Sequence, residues 1–160
     1  MSDFRVGIGV DAHAFSDGAA LVVGGVEIAG EAGLAGHSDG DVISHALIDA
    51  LLGAAGLGDI GSLFPSDSSE WEGARSLDLL ARAYAQVRDA GWELENADCV
   101  LVGEEPRIAP LREAMRARLA ETLGVEPELV NVRATTTDRL GFTGRGEGLA
   151  AVAVALLNRA

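Results

Sequence analysis

Lysine is missing from this chain: all 12 basic residues are arginine, set against 25 aspartates and glutamates, for a formal net charge of −13 over 160 residues. With no lysine there is no phosphate-binding P-loop of the Walker type. With no basic excess there is nothing to displace counterions from nucleic acid or to seek an anionic membrane. Cysteine occurs once, at Cys99, so no disulfide forms within the chain; its run Ala97–Val102 reads as a strand that buries a small thiol. Aromatics are only 4% of the residues, and the longest uncharged stretches, such as Leu149 to Asn158, fall far short of a membrane span. The N-terminal residues show no basic segment followed by an apolar run, so no signal peptide is expected, and the expected setting is reducing and cytoplasmic. What is present in quantity is hydrophobic residues, 48%, enough for one domain over residues 1–160 with a continuous core. In so acidic a chain, a phosphorylated ligand has to be met by metal ions, backbone amides, hydroxyls and a few arginines.

Two of the three histidines fall in His37-Ser38-Asp39-Gly40-Asp41 and the apolar run Val42 to Leu52 that follows. Ser38 with Asp41 three residues on has the spacing of a capping box, which predicts a helix starting near residue 39 or 40 and ending at Gly53 or Gly56. Asp41, His45 and Asp49 then lie one turn apart along a polar stripe. The stripe admits two readings, a solvated face with an incidental histidine or part of a site.

Phe4 to Phe15 alternates as a strand, with Val6, Ile8 and Val10 on one parity and Asp11 and His13 projecting to a common side. Leu21 to Ile28 reads as a hairpin around Gly24-Gly25. Gly56 to Gly73 is a turn-rich segment long enough to act as a mobile flap. Arg75 to Ala90 has helical periodicity, 96 to 104 reads as a core strand stopped by Pro106, and Pro110 to Leu123 as a helix closed by Gly124. Val130 to Thr137 and Leu149 to Leu157 complete the set as strands. The order β, hairpin, α, α, β, α, β, β predicts an α/β (α+β) fold, a mixed sheet with helices on one face and self-association covering the other.

Two groups of residues have the composition of a site. Asp11 and His13 on the strand and His45 on the helix offer nitrogen and oxygen ligands suited to a catalytic zinc with one open position, and Asp41 or Asp49 is placed to orient His45 from behind. The alternative is a structural cluster. His37, just before the helix, is either aimed at an anion there or an ordinary hydrogen-bonded loop histidine. The second group is Ala134-Thr135-Thr136-Thr137-Asp138 and the loop to Gly148, where hydroxyls, glycines, Arg139 and Arg145 make a phosphate-binding surface and Asp138 a ligand for a harder cation; a plain strand followed by a glycine-rich turn is the other reading.

Together, Gly7-x-Gly9-x-Asp11-x-His13, the stretch His37 to Gly53, Gly58-Asp59-Ile60-Gly61-x-x-Phe64-Pro65 and Ala134 to Gly148 closely resemble the 2-C-methyl-D-erythritol 2,4-cyclodiphosphate synthase family, in order and at similar spacing from about Arg5 onward. The resemblance implies conversion of 4-diphosphocytidyl-2-C-methyl-D-erythritol 2-phosphate to the cyclic diphosphate and CMP, a lyase step of the non-mevalonate route to isoprene units. It implies Zn2+ on Asp11, His13 and His45, and a second divalent cation, Mg2+ or Mn2+, on Asp138. His37 and Thr136 match the residues that stabilise the transition state, and Ser38 lies on the substrate with Asp11 and His13. Asp59, Ile60 and Gly61, with the flap residues Phe64, Pro65, Ser66, Asp67 and Ser68, match the methylerythritol phosphate pocket. The cytidine diphosphate pocket is matched by Gly103, Pro106, Arg107, Ile108 and Ala109 and by Ala134, Thr135, Thr136 and Thr137. In the family that pocket comes from the neighbouring subunit of a homotrimer whose sheets pack around a threefold axis, near which Phe142 and Arg145 fall. Asp138 stands where many relatives have glutamate, Ser66 where an aspartate is common, and Gly103 to Arg107 is unusually acidic. Two other functions fit the same residues: a zinc phosphohydrolase using Asp39 or Asp41 as acid or base, and a non-catalytic trimeric protein that binds cytidine nucleotides.

Overall fold

In the computed structural model of the chain, residues 2–160 are described. A 13-residue strand, β1 (Phe4–Ser16), is followed by a small hairpin, β2 (Leu21–Val23) and β3 (Val26–Ile28), and a two-residue strand β4 (Gly33–Leu34). Next come α1 (Val42–Ala55), a single-turn α2 (Ile60–Leu63) and α3 (Ser76–Asp89). β5 (Trp92–Val102), α4 (Arg112–Leu123), β6 (Val130–Thr135), a single-turn α5 (Gly141–Gly144) and β7 (Gly148–Arg159) close the chain. The main sheet has five strands in the order β4-β1-β7-β5-β6, antiparallel except for the parallel β5–β6 pair. The expected mixed sheet is present, and α1 lies across one face of it with α3 packed on α1 in turn. No helix among the described residues is long and apolar enough to cross a membrane.

The parity of β1 decides how the layers meet. Gly7 and Gly9 face α1, and a methyl group on either would run into the α1 backbone at Ala50 or Ala46. The absence of a side chain therefore lets helix and strand approach at backbone distance. Ala151, Ala153 and Ala155 of β7 continue the same low-profile floor and are fully buried. Because α1 rests on small residues and is covered by α3 outside, every residue from Val42 to Ile48 is buried. A helix buried all round draws its stability from packing rather than from an amphipathic face.

Asp41, not Ser38, caps α1. Its carboxylate accepts the Ser44 amide at 3.1 Å and the Ser44 hydroxyl at 2.7 Å, as well as the Gly24 and Gly25 amides at 2.9 and 2.7 Å. The helix therefore begins at Val42, two or three residues beyond the expected start, and ends at Ala55, capped by Gly56 in the left-handed conformation. Both turn glycines of the hairpin have positive φ, as the expected tight turn requires. Burial pushes the Asp41 carboxyl up, partly offset by the hydrogen bonds from Ser44 and the two glycines.

The remaining elements fall close to their expected bounds, with three differences. β5 starts four residues earlier, at Trp92, and β6 stops at Thr135, two residues short of the predicted end. The stretch from Gly56 to Gly73 is not a bare loop: it carries α2, capped by Asp59, and a 3-10 turn over Ser69–Trp71. Phe64 is buried edge-on against Trp71, with ring centroids 5.0 Å apart, which seats the segment on the core.

The opposite face of the sheet carries the other parity of β1. Val6, Ile8 and Val10 are 69%, 65% and 62% exposed, and Val154 of β7 extends the patch. Gly9→Ala is expected to destabilise the fold by the upper end of the about 1–3 kcal/mol typical of overpacking, because backbone rather than a side chain has to yield. Thermal unfolding of Gly9→Ala beside the control Gly53→Ala, a helical position with ordinary φ where an added methyl meets only the Ile8 carbonyl at 4.0 Å, measures the effect.

Candidate metal centre and flanking clefts

The site follows from the β1–α1 contact. The two elements run antiparallel, with Gly7 under Ala50 and Ala54 and Gly9 under Ala46. Each further pair of residues on β1 advances about 6.6–6.8 Å, so Asp11 and His13 arrive at the first turn of α1, where His45 projects back at them. Asp11 Oδ2 lies 2.9 Å from His13 Nε2 and 3.1 Å from His45 Nδ1, and the two ring nitrogens are 3.3 Å apart. Among the described residues this is the one cluster of three ligand-type side chains able to hold a metal ion.

The donor set fits a cation. His13 Nδ1 donates to the Ala35 carbonyl, so its Nε2 lone pair faces the centre. His45 Nε2 faces the hydroxyls of Ser76 and Ser38, at 2.8 and 2.9 Å, leaving Nδ1 for the centre. Two lone pairs and a carboxylate oxygen converging on one point repel each other unless a positive charge stands between them. A tetrahedral ion with ligands at about 2.0–2.1 Å spaces them by about 3.3 Å, close to the separations found. Burial alone would raise the Asp11 carboxyl, yet the His13 and His45 imidazoles against its Oδ2 bring it down to about 2. The Asp11 hydrogen bond in turn raises His13 above the usual imidazole value.

Neither aspartate expected behind His45 is there. Asp41 is turned away to the hairpin, and Asp49 accepts the Ile60 amide at 2.7 Å, tying α1 to the start of the flap. The residues behind His45 are Ser76 and, through it, Asp39. Nothing in the local sequence marked Ser76, which arrives as the first residue of α3. The solvated-face reading of the stripe is excluded as well, since Asp41 and His45 are both buried.

The triad opens into a cleft of about 590 Å³. Besides Asp11, His13 and His45, its walls include His37, Ser38, Ile60 and Gly61, with Phe64, Pro65, Ser66 and Asp67 from the flap. His37 Nε2 donates to the Ser68 carbonyl at 3.0 Å, linking the helix-entry loop to the flap. Asp59 does not line this cleft; its carboxylate caps α2 at the Ser62 amide.

A second cleft of about 910 Å³ lies elsewhere on the chain. Gly103, Pro106, Arg107, Ile108 and Ala109 line one side, and Ala134, Thr135, Thr136 and Arg145 the other. Thr137 is turned to its own loop, where its hydroxyl donates to the Leu140 carbonyl at 2.6 Å. Asp138 and Arg139 both have positive φ, and Glu104 accepts the Arg139 amide at 2.7 Å, so part of the acidic charge of the 103–107 loop serves to hold this turn. Phe142 is exposed. One chain therefore carries the two groups of predicted residues in separate clefts, with His37 in the first and Thr136 in the second.

Titrating the metal-free protein with Co2+ is expected to give the visible absorption of a tetrahedral centre. At about 100 times Kd, the ion is expected to add about 2.7 kcal/mol to the unfolding free energy. His13→Ala and His45→Ala are expected to lose both effects, measured by absorption and by thermal melts, whereas Asp59→Ala retains them.

The chain matches the model of the YgbB family over residues 4–158. It is 57% identical over 157 residues to a 2-C-methyl-D-erythritol 2,4-cyclodiphosphate synthase of an Azoarcus species, covering 98% of this chain and 97% of that one. Among solved structures, the bifunctional IspDF of Campylobacter jejuni superposes with a TM-score of 0.95 at 43% identity, covering 98% of this chain and 42% of that longer one. IspF of Plasmodium falciparum, solved as a CDP complex, superposes with a TM-score of 0.85 at 28% identity over 99% of both chains. With residues 4–158 matched by the family model and the whole fold superposed on these solved structures, the chain belongs to the YgbB family of 2-C-methyl-D-erythritol 2,4-cyclodiphosphate synthases.

Proposed function

We infer that the chain converts 4-diphosphocytidyl-2-C-methyl-D-erythritol 2-phosphate to 2-C-methyl-D-erythritol 2,4-cyclodiphosphate with release of CMP, a phosphorus–oxygen lyase reaction in isoprenoid biosynthesis. The observation that carries this reading is the Asp11–His13–His45 centre at the mouth of a cleft, in a chain aligned end to end with named synthases. The nucleophile is the substrate's own 2-phosphate, already an anion, so no general base is called for. Catalysis then rests on positioning and charge stabilisation. The zinc ion proposed for the triad supplies Lewis-acid charge neutralisation at the diphosphate, with Asp138 as ligand to a second cation, Mg2+ or Mn2+.

The protein's own groups do the rest. Ser38 and the flap hold the methylerythritol phosphate beside the triad, and the flap excludes water that would give linear products. His37 and Thr136 stabilise charge on the transferring phosphoryl group. The 103–109 loop and Ala134 to Thr136 hold the cytidine diphosphate. Since these halves lie in separate clefts of one chain, the working unit is a homotrimer that joins one subunit's triad to its neighbour's nucleotide cleft. The exposed Val6, Ile8, Val10 face supports that assembly, because an apolar patch of this kind calls for a partner. The phosphohydrolase reading loses its bases: Asp41 is buried and saturated with hydrogen bonds, and Asp39 is engaged with Ser76. A cytoplasmic setting is proposed, in keeping with one free cysteine whose burial pushes its thiol up to about 12.

Phosphorus NMR of the protein with substrate, Zn2+ and Mg2+ is expected to show the cyclic diphosphate and CMP, both lost in His45→Ala. Linear phosphates would establish a hydrolase instead, and unchanged substrate a binding protein. Sedimentation is expected to give three times the chain mass. Ile8→Asp is expected to release monomers that keep metal binding and lose turnover at least about tenfold, since a carboxylate cannot be buried unpaired at the axis.

A further inference from the structure

Ser76 is fully buried at the start of α3 and has no part in either cleft. Its hydroxyl nevertheless meets three groups. Asp39 Oδ1 accepts its proton, His45 Nε2 lies 2.8 Å away, and Ser38 Oγ lies 3.3 Å away. A serine hydroxyl has one proton to give. The carboxylate can only accept, so that proton goes to Asp39, and the lone pairs of Ser76 Oγ are what His45 meets. His45 Nε2 has then to be the donor, its proton facing the lone pairs of Ser76 Oγ at 2.8 Å and of Ser38 Oγ at 2.9 Å, which leaves Nδ1 without a proton on the side of Asp11 and His13.

Asp39 is itself fixed. Its carboxylate also accepts the backbone amides of Ser76, at 3.0 Å, and Asp41, at 3.2 Å, and its own amide donates to the Ala74 carbonyl at 3.2 Å. The direction of every hydrogen bond in the chain Asp39–Ser76–His45 is thus set from the carboxylate end. His13 is fixed in a parallel way by the Ala35 carbonyl behind it. Ser38 differs, because it lines the cleft and can turn its proton to Ser76 or to a ligand.

We propose that Ser76, held by Asp39, is a positioning residue that fixes the His45 imidazole as its Nε2–H tautomer and so keeps the Nδ1 lone pair on the Asp11–His13 centre. The inference rests on the reading of that centre as a metal site. An imidazole locked in this form needs no rearrangement when the ion arrives, and the carboxylate behind it makes Nδ1 a stronger ligand.

The test is nitrogen NMR of the imidazoles in the metal-free protein at alkaline pH, paired with Zn2+ affinity from competition with a chelator. His45 is expected to be wholly Nε2–H in the unaltered protein. In Ser76→Ala it is expected to become a mixture of tautomers, with Zn2+ affinity lower by about 10- to 100-fold. Ser76→Thr keeps a hydroxyl and is expected to restore both. If Ser76→Ala does not fold, Asp39→Asn serves in its place: its amide can donate to Ser76, freeing the hydroxyl to donate to His45, and the Nδ1–H form is expected to appear. An unchanged tautomer and unchanged affinity in the folded variants, with Zn2+ binding still lost in His45→Ala, would overturn the proposal and leave the metal site standing. Zn2+ binding that survives His45→Ala would overturn the metal reading and this inference with it.

Discussion

The backbone-to-backbone contact of β1 with α1 is the constraint on which the rest depends. Gly7 and Gly9 let the helix lie directly on the strand, and the alanines of β7 extend the floor beneath it. With the distance and direction of the two elements set, strand period and helix rise bring Asp11, His13 and His45 to one point. A larger residue at Gly9 would lift the helix and separate His45 from the pair on the strand. Fold and chemistry therefore share the same two glycines.

The centre that results is unfavourable by itself. A carboxylate and two imidazole lone pairs meet at 2.9 to 3.3 Å, in a chain of net charge −13 with no lysine to offset them. The surroundings do not relieve this; they enforce it, since Ala35 and Ser76 hold both rings with their lone pairs inward. Such an arrangement makes sense as preparation for a cation, and the same acidity explains why a diphosphate ligand would be met by metal and backbone rather than by basic side chains.

Much of this could be read from the residues in order. The strand over Phe4 to Phe15, the hairpin at Gly24-Gly25, and the pairing of Asp11 with His13 follow from period-two alternation and turn chemistry, which are local properties. The triad was legible because its members are chemically distinctive. What escaped was set by tertiary contacts. Asp41 looked like a partner for His45 because it lies one turn away on the same helix, but the hairpin amides compete for its carboxylate and win by offering two more donors in a buried place. Ser76 was invisible for the opposite reason: it is a common residue, distant in sequence, and only the docking of α3 brings it to His45. The flap was expected to be irregular, and the capping by Asp59 and the Phe64–Trp71 contact that order it depend on what lies beneath.

On the proposed function, the β1–α1 junction is a metal centre that works together with a nucleotide held by a neighbouring chain. Anomalous diffraction from crystals grown with Zn2+ and CDP addresses it most directly. One strong peak is expected among Asp11 Oδ2, His13 Nε2 and His45 Nδ1, and CDP with its cytosine in the cleft of Gly103 and Thr135 of one subunit and its diphosphate against the triad of the next. A peak elsewhere, or CDP enclosed within a single chain away from His45, would contradict it.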